Sequence, residues 1–110
     1  IALDRLRATG LVEKGVLRSP IAAISVGLFG DRPMLDLCYT EDRDAEVDLN
    51  VVATRDGAVV EVQGTAEEAP IPRERLDQML DLALDAMPEL AAYQRQTLEA
   101  NGIDIDRLLA

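Results

Sequence analysis

Asp48-Leu49-Asn50-Val51-Val52-Ala53-Thr54-Arg55-Asp56-Gly57-Ala58-Val59-Val60-Glu61-Val62-Gln63-Gly64-Thr65 is the stretch that decides the fold. Two β-rich runs flank Asp56-Gly57, the preferred composition of a two-residue type I′ hairpin loop. With that loop, Arg55 pairs with Ala58, and counting back sets Val51 opposite Val62, Asn50 opposite Gln63 and Asp48 opposite Thr65. Successive side chains on a strand point to opposite faces. One face therefore carries Leu49, Val51, Ala53, Val60 and Val62, and the other Asp48, Asn50, Val52, Thr54, Val59, Glu61, Gln63 and Thr65. The first is a core face; the second is mostly polar.

Upstream, Ile21 to Phe29 and Met34 to Thr40 read as a second antiparallel pair joined by a four-residue loop, Gly30-Asp31-Arg32-Pro33. The loop pairs Phe29 with Met34, and the register then sets Leu28 against Leu35, Val26 against Leu37 and Ile24 against Tyr39 on one apolar face. The reverse face, with Ala23, Ser25 and Gly27 across from Thr40, Cys38 and Asp36, is small or polar and leaves room above the sheet as the floor for a ligand. Two hairpins, each apolar on one face only, predict an α+β fold: a four-stranded sheet with helices packed on one side.

The helices lie at the ends. Ile1 to Ala8 reads as the end of a helix stopped at Gly10, with no capping residue before it, so the chain is expected to start inside a larger protein. After Pro70-Ile71-Pro72, the residues Leu76, Met79, Leu80, Ala83 and Met87 recur at three- and four-residue steps, the stripe of an amphipathic helix. Pro88 is expected to kink or restart it, Asn101-Gly102 to stop it, and Ile103 to Ala110 to form a short terminal helix.

With 110 residues, 48% of them hydrophobic, the chain supports one domain, 1–110, with a single core. No apolar run approaches the ~20 residues that span a bilayer. The single cysteine, Cys38, has no partner for an internal disulfide, reads as a buried small hydrophobe and fits a reducing compartment. Absence of histidine removes Ser-His and Cys-His nucleophile pairs and histidine metal sites, which leaves chemistry to carboxylates. Eleven basic residues against 21 acidic ones give a net charge of -10, and aromatics are 3%, so the chain alone is a poor platform for phosphate backbones or stacked bases.

Between the hairpins lies Glu41-Asp42-Arg43-Asp44-Ala45-Glu46-Val47-Asp48. Such a run reads either as a solvated acidic turn or as a divalent-metal site at the lip of the sheet. A calcium loop of the EF-hand type fails, because its sixth position from Asp42 is Val47 rather than Gly and its twelfth is Ala53 rather than Glu. Mg²⁺ suits it better, since it takes one or two carboxylates and leaves coordination positions to water and phosphate. Asp42 and Asp48 bracket the loop, and chain reversal brings them together. Asp44 and Glu46 read as exposed loop residues and Asp36 as a structural acceptor, while Gln63 and Thr65 adjoin the pair across the hairpin.

The segments Ile21-Ala22-Ala23-Ile24-Ser25-Val26-Gly27, Leu35-Asp36-Leu37 with Glu41-Asp42, Ala45-Glu46-Val47-Asp48-Leu49-Asn50-Val51-Val52 and Val60-Glu61-Val62-Gln63-Gly64-Thr65-Ala66-Glu67 together resemble the C-terminal half of subunits of the bacterial ribonuclease PH family. Glu-Val-Gln-Gly-Thr-Ala-Glu and the spacing from Glu-Asp to Asp-Leu-Asn are its specific parts, and the likeness runs to about Leu98. The resemblance implies a cytoplasmic, phosphorolytic 3′ to 5′ exoribonuclease and nucleotidyltransferase that processes tRNA and rRNA. Inorganic phosphate is its co-substrate and nucleoside diphosphate its product. It further implies a homo-hexamer built as a trimer of dimers, with tRNA precursor 3′ ends as the partner and neither membrane nor DNA. In polynucleotide phosphorylase and related ring enzymes two aspartates six residues apart form the catalytic, metal-associated pair, and these correspond to Asp42 and Asp48. Both carboxylates would hold Mg²⁺, and Asp48 would assist protonation of the departing 3′ oxygen, which at neutral pH calls for a raised pKa. The family's phosphate-binding arginines and Gly-Thr-Arg segment have no counterpart in these residues, so this segment is expected to be inactive alone.

Two other classes fit the same residues: a noncatalytic ring subunit, and a fragment that acts as an acidic protein-interaction domain through the helix after Pro72.

Overall fold

The structure, a computed structural model, describes residues 1–12, 15–35 and 44–109. Helix α1 (Ala2–Ala8) is followed by strands β1 (Ile21–Phe29), β2 (Arg32–Leu35), β3 (Val47–Thr54) and β4 (Val59–Ala66), then by helix α2 (Arg73–Ala100) and a 3₁₀ turn, Ile105–Arg107. The strands form one antiparallel sheet in the order β2-β1-β3-β4, so the α+β expectation holds. Each hairpin contributes its first strand, β1 or β3, to the centre.

The β3–β4 register agrees with expectation from Val47↔Ala66 through Val52↔Glu61, including Asp48↔Thr65 and Asn50↔Gln63. The turn does not. Its amides close Gly57 N–H on Thr54 O at 3.1 Å and Thr54 N–H on Ala58 O at 2.9 Å, with Gly57 at φ 85°. This is a three-residue loop, Arg55-Asp56-Gly57, rather than the expected two-residue type I′ loop, which would also need positive φ at Asp56. A loop one residue longer would turn every β4 side chain to the wrong face. A bulge prevents this: Ala53 pairs with Val59, Val52 with Glu61, and Val60 is the extra residue. Val59 rather than Val60 thus sits across from core-facing Ala53.

At the β1–β2 turn the expected four-residue loop is replaced by a two-residue one. Gly30 and Asp31, at φ 52° and 67°, provide the two positive dihedrals of a type I′ turn. Phe29 pairs with Arg32, Leu28 with Pro33, Gly27 with Met34 and Val26 with Leu35, a shift of two from the expected register. An even shift keeps the faces, so the apolar set stays inward. Pro33 is tolerated because β2 is an edge strand. Leu37, Cys38, Tyr39 and Thr40, expected in β2, lie outside the described residues.

Val26, Leu28, Val47, Leu49, Val51 and Ala53 are buried against Met79, Ala83 and Met87, the α2 stripe read from its periodicity, with Leu76 and Leu80 partly buried beside them. Pro88 neither breaks nor restarts α2, which runs unbroken for 28 residues. Pro88 is exposed, and it removes from the helix only the amide donor to the Leu84 carbonyl. Both helices end as their glycines suggest. After α2, Gly102 N–H bonds Glu99 O and Ile103 N–H bonds Leu98 O, each at 3.0 Å, and α1 closes the same way on Gly10 and Leu11. The expected terminal helix is only the 3₁₀ turn, fastened by Leu17 N–H to Leu108 O at 2.8 Å and by the forked Arg95–Asp106 pair at 2.9 and 3.0 Å.

Candidate active site on the open face of the sheet

Side chains opposite the helix-packed set project onto a face that no described helix covers. Its rows follow from the ladders. Ser25, Asn50 and Gln63 form one row, and Gly27, Asp48 and Thr65 the next, with Met34 beyond Gly27 on β2. Central β3 brings each row together, because its antiparallel pairing with β1 sets Gly27 against Asp48 and Ser25 against Asn50.

Asp48 is half-buried, flanked by a glycine on one side and exposed Thr65 on the other. Gly27 has no side chain to crowd the carboxylate, and directly paired residues on one face stand about 5 Å apart. In the next row the Ser25 hydroxyl donates to Asn50 Oδ1 at 2.7 Å. Asn50, Ser25 and Gln63 are all exposed.

Beneath this face, Gly64 belongs to the packing that fixes Asp48. A β-carbon there would stand 2.7 Å from Leu49 Cδ1 and 3.1 Å from the Asp48 carbonyl oxygen. Leu49, 2% exposed, leans over Gly64 on the core side, and this close approach requires a residue without a side chain. Beyond the end of β3 the ladder is carried on by Glu46, whose N–H reaches Leu28 O at 2.8 Å and whose carbonyl accepts from Glu67 N–H at 3.2 Å. Glu46 and Asp44 are exposed, as expected, and Asp44 is engaged in an interaction of its own.

Asp42, the other half of the expected pair, lies outside the described residues, as do Asp36, Glu41 and Arg43. Among the described residues no group of three or more Asp, Glu or Cys side chains is arranged to hold a metal ion. Asp48, a half-buried oxygen donor, suits a cation that needs one or two carboxylates.

Sequence reasoning missed two features of this face and a cavity away from it. Ser25 and Asn50 are far apart in the chain, and only the β1–β3 pairing joins them. Phe29 and Arg32 form a cross-strand pair on the open face at the Asp48 end, and both are exposed. A cavity of about 820 Å³ opens between the start of β1 and the second half of α2, lined by Leu17, Ile21, Leu90, Tyr93 and Leu109. It is remote from Asp48, since Ile21 pairs with Thr54 while Gly27 pairs with Asp48, and six strand residues span about 20 Å.

Comparison with known proteins matches residues 19–86 to the 3′ exoribonuclease family, domain 2. The chain is 50% identical over 97 residues to ribonuclease PH of Parasynechococcus marenigrum (strain WH8102), covering 88% of this chain and 39% of that protein. It is likewise 50% identical over 97 residues to ribonuclease PH of Acaryochloris marina (strain MBIC 11017), covering 88% of this chain and 41% of that protein. The chain thus spans about two-fifths of the length of these relatives.

Proposed function

We propose, from the premise that this chain belongs to the 3′ exoribonuclease family and corresponds to the C-terminal part of ribonuclease PH, that the whole protein is a phosphate-dependent 3′ to 5′ exoribonuclease of the cytoplasm. It trims the 3′ ends of tRNA precursors, releases nucleoside diphosphates and works as a homo-hexamer. The observation that carries this reading is Asp48 itself, a half-buried carboxylate on a sheet face that no described helix covers, with glycine on one side and a hydroxyl on the other.

In the reaction an oxygen of inorganic phosphate bonds to the phosphorus of the terminal phosphodiester, and the bond from that phosphorus to the 3′ oxygen of the preceding nucleotide breaks. The departing oxygen gains a proton, and the terminal nucleotide leaves with two phosphates. Asp48 holds its carboxylate near the start of a central strand, and Asp42, outside the described residues, would act with it. The two carboxylates would hold Mg²⁺, which would supply charge neutralisation at the scissile phosphate. Asp48 would also assist protonation of the departing 3′ oxygen. Thr65, across the ladder, offers a hydroxyl on the same face. The net charge of -10 supports a division of labour in which basic surface for RNA comes from elsewhere in the assembly.

The test is release of nucleoside diphosphate from a 3′-extended tRNA by the full-length protein with Mg²⁺ and phosphate. Asp48→Asn and Asp42→Asn are each expected to lower turnover by about 10²-fold or more while the protein stays folded. Near-normal turnover in either variant removes that residue from the chemistry.

A further inference from the structure

We propose that Asn50 binds the RNA: its side-chain amide donates to a non-bridging phosphate oxygen of the 3′-terminal nucleotide, and Ser25 is the positioning residue that turns the amide to do so. This rests on the phosphorolytic reading of Asp48. Asn50 follows Asp48 by two residues, so the two side chains share the open face about 7 Å apart along β3. Ser25 stands directly across from Asn50 on β1, and its hydroxyl donates to Oδ1 at 2.7 Å. With the carbonyl end occupied, the amide nitrogen carries two N–H donors, and among the described residues it has no partner. Asn50 is exposed, so those donors face the space above the sheet.

The chemistry of the neighbours selects the ligand. A phosphate oxygen only accepts hydrogen bonds, which matches a donor fixed by its own acceptor end. Beside Asp48, an arginine or lysine would pair with the carboxylate and remove it from the reaction. A neutral amide binds phosphate and leaves the carboxylate free. Gly27, next to Ser25 on the same face and paired with Asp48, adds no side chain of its own beside the carboxylate. Gln63, opposite Asn50 on β4, gives the row a second amide.

The test uses the full-length protein and two readouts: affinity for a 3′-labelled single-stranded RNA measured by fluorescence anisotropy, and kcat and KM for RNA in phosphorolysis. Asn50→Asp keeps the shape and the acceptor for Ser25 but replaces the donor by an anion. It is expected to weaken RNA binding and raise KM by about tenfold or more. Asn50→Ala is expected to weaken binding by about tenfold, Ser25→Ala by a few-fold, and Ser25→Thr, which keeps the hydroxyl, to stay close to the parent. The double variant Ser25→Ala/Asn50→Ala is expected to match Asn50→Ala alone, because Ser25 acts only through Asn50. Wild-type affinity and KM in Asn50→Asp would overturn the proposal, since a merely structural link to Ser25 survives that change, and so would additive losses in the double variant. Direct binding separates the two levels: if Asp48→Asn retains turnover while Asn50→Asp loses RNA, the reading of Asp48 fails and that of Asn50 stands.

Discussion

The two hairpins are built on opposite solutions to one problem. Each must deliver an apolar face to α2 and a polar face to the open side, and each turn departs from the loop length that its composition suggests. The β1–β2 hairpin uses a tighter turn than its Gly-Asp-Arg-Pro run implies and slides by two residues, an even shift that leaves every side chain on its own face. In the β3–β4 hairpin the loop is one residue longer than Asp-Gly implies, an odd shift, which the Val60 bulge corrects before the ladder reaches Asn50 and Asp48. Parity of the shift matters more than its size, because the side-chain period of a strand is two.

The sharpest way to strain this comparison is at Gly64, where the second hairpin has no slack. In Gly64→Ala the new methyl must displace Leu49 Cδ1 or the Asp48 backbone, and a loss of about 1–3 kcal/mol is expected from overpacking a formed core. Urea unfolding measures it, with the midpoint falling and the slope unchanged. An unchanged midpoint would mean that Leu49 swings away freely and that Gly64 does not hold β3 in place.

A paired substitution separates the turns themselves. Gly30 has φ 52°, and nothing lies within 4 Å of where its β-carbon would stand, so Gly30→Ala meets only backbone strain, about 1–2 kcal/mol. Asp56 has no positive φ, and Asp56→Ala is expected to stay within about 0.5 kcal/mol. Equal losses at the two sites would restore a type I′ turn at Asp56-Gly57 and overturn the three-residue loop. A smaller effect still is expected on deleting Val60, the bulged residue. Val52↔Glu61 and Ala53↔Val59 can then stand next to each other in a regular ladder, and cross-strand NOEs between Asp48 and Thr65 should persist. Loss of those contacts would show that the bulge shapes the strand beyond restoring parity.

The same parity explains what was legible in the sequence. Alternation revealed both faces, and the β3–β4 register near Asp48 holds despite the different turn because two displacements of one residue, loop and bulge, cancel. The α2 stripe was legible because Met79, Ala83 and Met87 obey helical spacing, whereas Pro88 misled: a proline on the solvent side removes one hydrogen bond without interrupting packing on the other. Asp48 stood out as an acid within an apolar alternating run. Gly27 and Ser25 were legible as the floor of a ligand site but not as neighbours of Asp48, since the β1–β3 pairing joins segments about 25 residues apart with no turn motif to announce it. Ser25 in an otherwise apolar strand was the available signal, and it gains meaning only once Asn50 is found opposite.

The last difference between the hairpins is at their tips. Asp31 is tied to the first turn of α2 by a forked pair, Arg75 Nε to Oδ1 and a terminal guanidinium nitrogen to Oδ2, each at 2.8 Å. Arg75 also donates to Gln78 Oε1 at 2.9 Å. The hydrogen bonds from Arg75, and then its charge, hold the Asp31 carboxyl below its ordinary 3.8. A carboxylate depressed in the folded state adds stability that is fully present above the unfolded value and disappears as pH falls through the folded one. Wild type should therefore melt slightly above Asp31→Asn at neutral pH, and the gap should close as pH drops below 3.8. Because the pair is exposed, the gap is expected to be small and to shrink with added salt. Equal melting of the two proteins at neutral pH would assign the role of Asp31 to its left-handed turn conformation, which asparagine also adopts, and would leave the charge with no part in joining this hairpin to the helix.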